Sequence, residues 1–283
     1  MDPLFTSLLD LFRELDTRGV PLTVGGGFGL YLKRMHLEGS GERTLFAELP
    51  SVRSTNDIDL FLRAEVLADF PRTKDIADAI KKLGYEAVET AKYLQWKKPV
   101  VVVGVEQEVK LDVLVGPLGE YHSKLKVSRP RARPKGEIQF HAHMVDEALH
   151  IEEQPVRIPV DGLASDGQRC RGTVYVPEGF PYLLMKLHAF SDRKADADKG
   201  LGRHHALDAY TIVGMMTEPE YDRARAFGVA DRDDEHVKRA RSIVNEDFSD
   251  ETSLGVLRLR EHPLFRADFR LGEFLAVLRE IFG

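Results

Sequence analysis

Residues 53–60 read RSTNDIDL, and within them Asp57 and Asp59 sit one residue apart in a run that is otherwise apolar through Leu62. Side chains two apart on a strand project from the same face, with Cα atoms roughly 6.5 Å apart by the strand rise. Ile58, Leu60 and Leu62 then face the core. Two like charges on a half-buried face repel and resist desolvation. A divalent cation removes both problems, and Mg²⁺ prefers oxygen ligands while keeping waters and substrate phosphates in its shell. A second apolar strand, Val109-Lys110-Leu111-Asp112-Val113-Leu114-Val115, carries one carboxylate. Placed beside the first, Asp112 would complete a three-carboxylate cluster able to hold two metal ions for an in-line phosphoryl or nucleotidyl displacement. The alternative is that each aspartate ends a strand and pairs with Arg53 or Lys110.

The stretch VGGGFG at 24–29 adds a second chemical element. Gly25, Gly26 and Gly27 follow a short apolar strand and open a helix, where backbone N–H groups and the helix dipole can meet a phosphate. Without Cβ atoms they let a ligand approach the main chain. A glycine run is equally a plain tight turn. The chain contains neither G-x-G-x-x-G nor G-x-x-x-x-G-K-[ST], so dinucleotide-binding and P-loop readings are excluded.

These residues need elements to hold them. Leu4, Leu8, Leu11 and Leu15 follow helical spacing and predict a helix over 2–18. Strands are expected at 20–24 and 53–62, and a helix at 28–35, with 36–52 as a loop or insertion between. A helix over 75–83 stops at Gly84. Strands are expected at 85–90, 92–96, 100–104, 108–115, 156–160 and 173–176, and helices at 178–192, 204–216 and 271–282. This order predicts an α/β (α+β) fold, a mixed sheet flanked by helices followed by a mainly helical C-terminal domain. The boundary falls within 145–180 and is placed at 150, giving domains 1–150 and 151–283.

Composition sets the limits. The chain has 283 residues, 43% hydrophobic and 30% charged, with a net charge of −6, an ordinary globular balance that argues against whole-protein attraction to nucleic acid. A single cysteine, Cys170, excludes a disulfide framework and a cysteine zinc cage, and fits a reducing cytoplasm. No apolar stretch approaches a membrane span, and no membrane partner is expected. The segment 122–143 holds six Lys or Arg with two prolines. Lys124, Lys126, Arg129, Arg131, Arg133 and Lys135 could lie along an RNA backbone by replacing condensed counterions, or form a solvated, proline-broken loop. His141-x-His143 lacks a carboxylate or cysteine at metal-ligand spacing, and His188 reads as packing. The mixed-charge stretch 218–250 reads as a solvated helical surface.

In the second half, Leu183, Leu184, Leu187 and Phe190 form an apolar stripe with Lys186 at its edge, and Asp208 stands alone inside Ala206-Leu207-Asp208-Ala209-Tyr210. A lysine and an aspartate embedded in apolar helices read either as cleft residues or as a helix–helix salt bridge.

A strand, a glycine pair and a helix, followed by a strand bearing T-x-D-x-D and a later strand bearing one Asp, resemble the polymerase-β-like nucleotidyltransferase superfamily. The stretches Arg53–Leu60, Lys186-Leu187-His188-Ala189 and His204 to Tyr210 are similar to the AbiEii/AbiGii-type toxins, including the MenT group. The likeness spans roughly 18–215. It departs from the family in the long gap between glycines and aspartates, and in His204-His205-Ala206-Leu207-Asp208, where the family often has an Arg-Asp pair. The resemblance implies a nucleotidyltransferase-type catalytic domain that transfers NMP from an NTP (ATP, CTP, GTP or UTP) to an acceptor hydroxyl. The acceptor would be a tRNA 3′ end, and the protein the toxin of a toxin–antitoxin system with an antitoxin partner. It assigns Asp57, Asp59 and Asp112 to Mg²⁺, with Mn²⁺ as a substitute, and Gly25 and Gly26 to the triphosphate. It also gives Thr55 and Lys186 phosphate contacts, and gives Asp208 the placing of nucleotide or lysine, so that the C-terminal domain contributes Lys186 and Asp208 to the cleft. Asp112 is then the candidate general base or the ligand that orients the hydroxyl. The same fold could act on a small-molecule antibiotic or a protein hydroxyl, or serve as a non-catalytic nucleotide-binding module.

Overall fold

The computed structural model describes residues 2–91, 93–102 and 104–283. Lys92 and Val103, within the expected strands 92–96 and 100–104, lie outside the described residues. The chain divides into two compact units. The first comprises residues 1–32, 54–146 and 152–177; the second comprises 33–53, 147–151 and 178–283.

The first unit is built on helix α1 (Pro3–Asp16), strand β1 (Thr23–Val24), helix α2 (Gly26–Ser40), strand β2 (Asp57–Leu62), and helices α3 (Ala64–Ala68) and α4 (Phe70–Lys82). Strands β3 (Glu86–Ala87), β4 (Gln95–Val102), β5 (Val105–Val115), β6 (Leu125–Ser128), β7 (Arg131–Pro134), β8 (Ala142–Met144), β9 (Val156–Leu163) and β10 (Arg169–Val176) follow. Residues 26–32 of α2 belong to this unit and the rest to the second. Among the described residues the ten strands form one mixed sheet, ordered β6-β7-β8-β5-β2-β1-β10-β9, with β4 also on β5 and β3 on β4.

One face of this sheet is dry. Val109, Leu111, Val113 and Val115 of β5 are buried, as are Ile58, Leu60 and Leu62 of β2, while Lys110, Asp112 and Leu114 are half-buried. The alternation continues through β9 and β10, where Ile158, Val160, Cys170 and Val174 are buried and Arg157, Arg169 and Arg171 exposed. Helix α1 covers the apolar side: Leu4, Leu8, Leu11 and Leu15 are buried, and the Cys170 thiol reaches the Leu9 carbonyl at 3.8 Å. Asp2 caps α1 by accepting from the Leu4 amide at 2.9 Å, and Pro3 stands at its first turn, where a missing N–H costs nothing.

Three expectations change. The strand expected over 53–62 begins at Asp57, because the Thr55 hydroxyl accepts from the Asp57 amide at 3.2 Å and turns the chain just ahead of it. The proline-broken loop is an antiparallel hairpin of β6 and β7, with Pro130 in its turn and Leu125, Ala132 and Pro134 packed inward. The domain boundary expected at 150 moves to Pro177, because β9 and β10 extend the sheet beside β1.

The second unit is mainly helical, with α5 (Gly179–Arg193), α6 (Arg203–Gly214), α7 (Glu218–Ala230), α8 (Glu235–Asp247), α9 (Leu254–Arg260) and α10 (Leu271–Phe282). Phe180, Leu183, Leu187, Phe190, Phe248, Phe274 and Phe282 fill its core. Glu220 closes a capping box with Thr217 and also pairs with the buried Lys33 ammonium at 2.6 Å, satisfying both charges. Among the described residues no helix is long and apolar enough to cross a membrane.

Candidate active site

Strands β2 and β5 run parallel in a register that sets Asp59 directly opposite Asp112 and Asp57 opposite Lys110. Neighbouring strands lie about 4.8 Å apart and paired residues share a face. Asp57, Asp59 and Asp112 therefore stand together on the polar side of the sheet, while their neighbours Ile58, Leu60, Leu111 and Val113 are fully buried on the other. The two tight periods of apolar residues make this local arrangement inevitable once β2 and β5 pair.

Asp57 keeps a buried carboxylate oxygen, Oδ1, without a hydrogen-bond partner. Asp112 accepts from the Gln95 amide at 2.8 Å rather than from a cation. Burial pushes the Asp112 carboxyl above the ordinary carboxylate range, and the Asp57 charge adds to the rise against the pull of Gln95 and Lys110. An orphaned buried oxygen and a destabilised carboxylate beside it are the donor set that a hard divalent cation completes. Their oxygens are of the donor type Mg²⁺ takes, but the three residues do not form a closed group of ligand atoms within 4.8 Å of one another.

The glycine turn locks onto the same cluster. The Gly25 amide donates to the Asp59 carbonyl at 2.8 Å, tying the start of α2 to β2. Gly26 has φ +60, and a Cβ there would lie 1.6 Å from Asp59 Oδ2. The N-terminal end of α2, whose first-turn amides have no carbonyl of their own helix to bind, thus abuts the aspartates. Gly26→Ala is expected to swing the Asp59 carboxylate aside and add left-handed backbone strain of about 1–2 kcal/mol. Urea unfolding should report that loss, and calorimetric titration with Mn²⁺ an affinity at least tenfold weaker. Unchanged Mn²⁺ affinity would show that Asp59 holds no metal.

The basic residues are placed by the same sheet. Leu114 on the face of Asp112 is opposite His143, His143 is opposite Arg131, and Lys126 is opposite Arg133. Lys126, Arg131 and Arg133 therefore share the polar face with the three carboxylates. Lys124 stacks over Tyr121 at 4.7 Å, Arg129 pairs with Asp146, and Lys135 is exposed. His141 and His143 belong to no metal-ligating group among the described residues.

Lys186 and Asp208, in the second unit, are joined. Lys186 Nζ lies 2.7 Å from Asp208 Oδ2, and Arg53 Nε lies 3.2 Å from Oδ1. Asp208 is 1% exposed and Lys186 7%. Lys186, expected at the edge of its stripe, is instead inside, because Asp208 offers it a charge in the dry interior. Burial pushes the Asp208 carboxyl up, but Lys186 and Arg53 outweigh it and hold the group below its ordinary range. His205, beside them, is pushed down to about 3, first by burial and then by the Lys186 and Arg193 charges. It is a neutral acceptor for Arg193. Two cations against one carboxylate leave this buried spot net positive. Arg53 is thus committed to Asp208.

Sequence reasoning missed Gln95 and Arg53 in these roles. Gln95 reaches Asp112 only because β4 folds back on β5, and nothing local signals that partner. Arg53 was visible in its motif, but its partner lies 155 residues on. Comparison with family models, with curated proteins and with solved structures gives no match.

Proposed function

We propose that this protein is a Mg²⁺-dependent nucleotidyltransferase of the AbiEii type, a toxin that transfers NMP from an NTP to a hydroxyl of an RNA acceptor, the tRNA 3′ end. The observation that carries this reading is the pairing of Asp59 with Asp112 in adjacent strands, with Asp57 on the same face and the Gly25-Gly26 turn against it. Bound divalent ions supply Lewis acidity at the attacking and leaving oxygens.

The chain's own residues do the rest. Asp57, Asp59 and Asp112 would hold the cations. Asp112 would serve either as general base for the acceptor hydroxyl or as the ligand that orients it. The N-terminal end of α2, which the glycine turn opens, would favour the negative charge of the triphosphate through the helix dipole, and Thr55 would contact a phosphate through its hydroxyl, whose oxygen already accepts from the Asp57 amide. By the family resemblance Lys186 would contact nucleotide phosphates, with Asp208 setting its position through the ion pair the two make within the second unit. Lys126, Arg131 and Arg133 follow the acceptor backbone along the polar face.

The test is incubation with each α-labelled NTP, Mg²⁺ and total RNA. A labelled tRNA band supports the reading. Label on the protein fraction, or on an added aminoglycoside, moves the acceptor to a protein hydroxyl or a small molecule. No transfer and no Mg²⁺-dependent NTP binding leaves a binding module. Replacing Lys126, Arg131 and Arg133 together by Gln is expected to raise KM for RNA by about 10- to 100-fold. It should also flatten the salt dependence of RNA binding by up to about three phosphate equivalents, with NTP binding unchanged. Unaltered RNA kinetics in that variant would remove RNA as the acceptor.

A further inference from the structure

The helical unit holds a second ligand set that no step of the transfer uses. Glu147, His188 and His236 each offer one metal-ligating atom, and these atoms lie within 4.8 Å of one another. They come from three places in the chain. Glu147 stands in the 147–151 segment, His188 in the middle of α5, and His236 in the first turn of α8. His188 is 4% exposed, whereas Glu147 and His236 are half-buried and give solvent access to the group.

The donors differ in kind from the aspartate cluster. Two imidazoles and one carboxylate suit Zn²⁺ and its neighbours, whereas Mg²⁺ asks for an octahedron of oxygens. A tetrahedral Zn²⁺ with bonds near 2.0–2.2 Å spaces its ligand atoms roughly 3.4 Å apart. The ligand atoms, within 4.8 Å of one another, lie at or somewhat beyond that spacing. His188 Nε2 lies 3.0 Å from the His236 carbonyl, which takes the proton of that nitrogen and leaves the lone pair on Nδ1. Metal-ligating histidines almost always tie off one nitrogen in this way. Glu235 Oε1 stands 3.8 Å from His236 Nε2 and adds negative charge, and the nearby Arg239 is neutralised by Asp192.

We propose that Glu147, His188 and His236 form a Zn²⁺-class metal site with a fourth position open to water, which clamps the 147–151 segment to α5 and α8. This site is independent of the nucleotidyltransferase reading.

The test uses the full chain, stripped with EDTA and titrated with Zn²⁺ or Co²⁺. The expected result is one tight Zn²⁺ per chain, visible d–d bands of four-coordinate Co²⁺, and a Tm that rises when Zn²⁺ is added. His236→Ala and Glu147→Gln, both at half-buried positions, should each weaken Zn²⁺ at least tenfold and lose the Co²⁺ bands. Asp57→Ala should keep both. Circular dichroism of the metal-free variants separates loss of ligand from loss of fold, and the near-isosteric Glu147→Gln remains informative if His236→Ala unfolds. The proposal is overturned if the wild type takes up no stoichiometric Zn²⁺. It is also overturned if both variants bind Zn²⁺ like the wild type, or if only Asp57→Ala loses it. Any of these outcomes would leave the three side chains as a polar cluster without a metal.

Discussion

Asp57→Ala is expected to abolish label transfer from an α-labelled NTP to RNA, a loss of at least about 10³-fold. That factor corresponds to roughly 4 kcal/mol, the scale of charge stabilisation a catalytic cation provides. The same substitution should leave the fold intact or slightly firmer. Asp57 carries a buried oxygen without a partner, and its charge helps raise the Asp112 carboxyl. A group whose folded pKa lies above its unfolded value costs stability once the pH exceeds the unfolded value, so at pH 7 Asp112 is a standing penalty. Removing the Asp57 charge lowers the Asp112 pKa and shrinks that penalty. Activity and stability should therefore move in opposite directions. Tm at pH 7 together with single-turnover transfer checks both. Retained transfer would sink the metal assignment, while a Tm drop of many degrees would make Asp57 a structural residue instead.

The largest stability effect is expected at Asp208. Asp208→Ala leaves the Lys186 ammonium, 7% exposed, without its carboxylate at 2.7 Å. Breaking a buried pair by removing one partner costs about 3–5 kcal/mol, because the remaining charge stays desolvated. Arg53, with a side chain 22% exposed, can turn towards water and loses less. Urea unfolding should show the full loss for Asp208→Ala and recover much of it in Asp208→Ala with Lys186→Met, since the orphan cation is then gone. The pH dependence has a definite sign. The folded Asp208 pKa lies below its ordinary value of 3.8, so its contribution is complete above that pH and is lost as the pH falls through the folded value. The variant should lack that acid limb. A cost under about 1 kcal/mol, typical of exposed pairs, would mean that water screens the site.

Much of the chemistry lies in short-range pattern, and short-range pattern is what a sequence displays. The spacing of Asp57 and Asp59 put both on one face. The alternation of Lys110, Asp112 and Leu114 with buried Val and Leu put Asp112 on the polar side of its own strand. Three glycines marked a turn, and the apolar stripe of residues 4–15 marked a helix. Each follows from a period of 2 or 3.6 residues, which chain geometry imposes on any segment whatever surrounds it. The same logic misled where local signals compete. Two prolines suggested an open loop at 122–143, yet pairing of Leu125, Val127 and Ala132 across the strands made a hairpin.

Tertiary structure decided the partners. That β2 lies beside β5, with Asp59 opposite Asp112, is a choice of register between strands about fifty residues apart, and no periodicity encodes it. Gln95 reaches Asp112, Arg53 reaches Asp208, and Glu147, His188 and His236 converge because packing brought distant segments together. The sequence by itself determined which side chains each element presents and on which face. Only the fold determined which faces meet, because the free energy that selects those meetings comes from burying several elements at once and belongs to no segment alone.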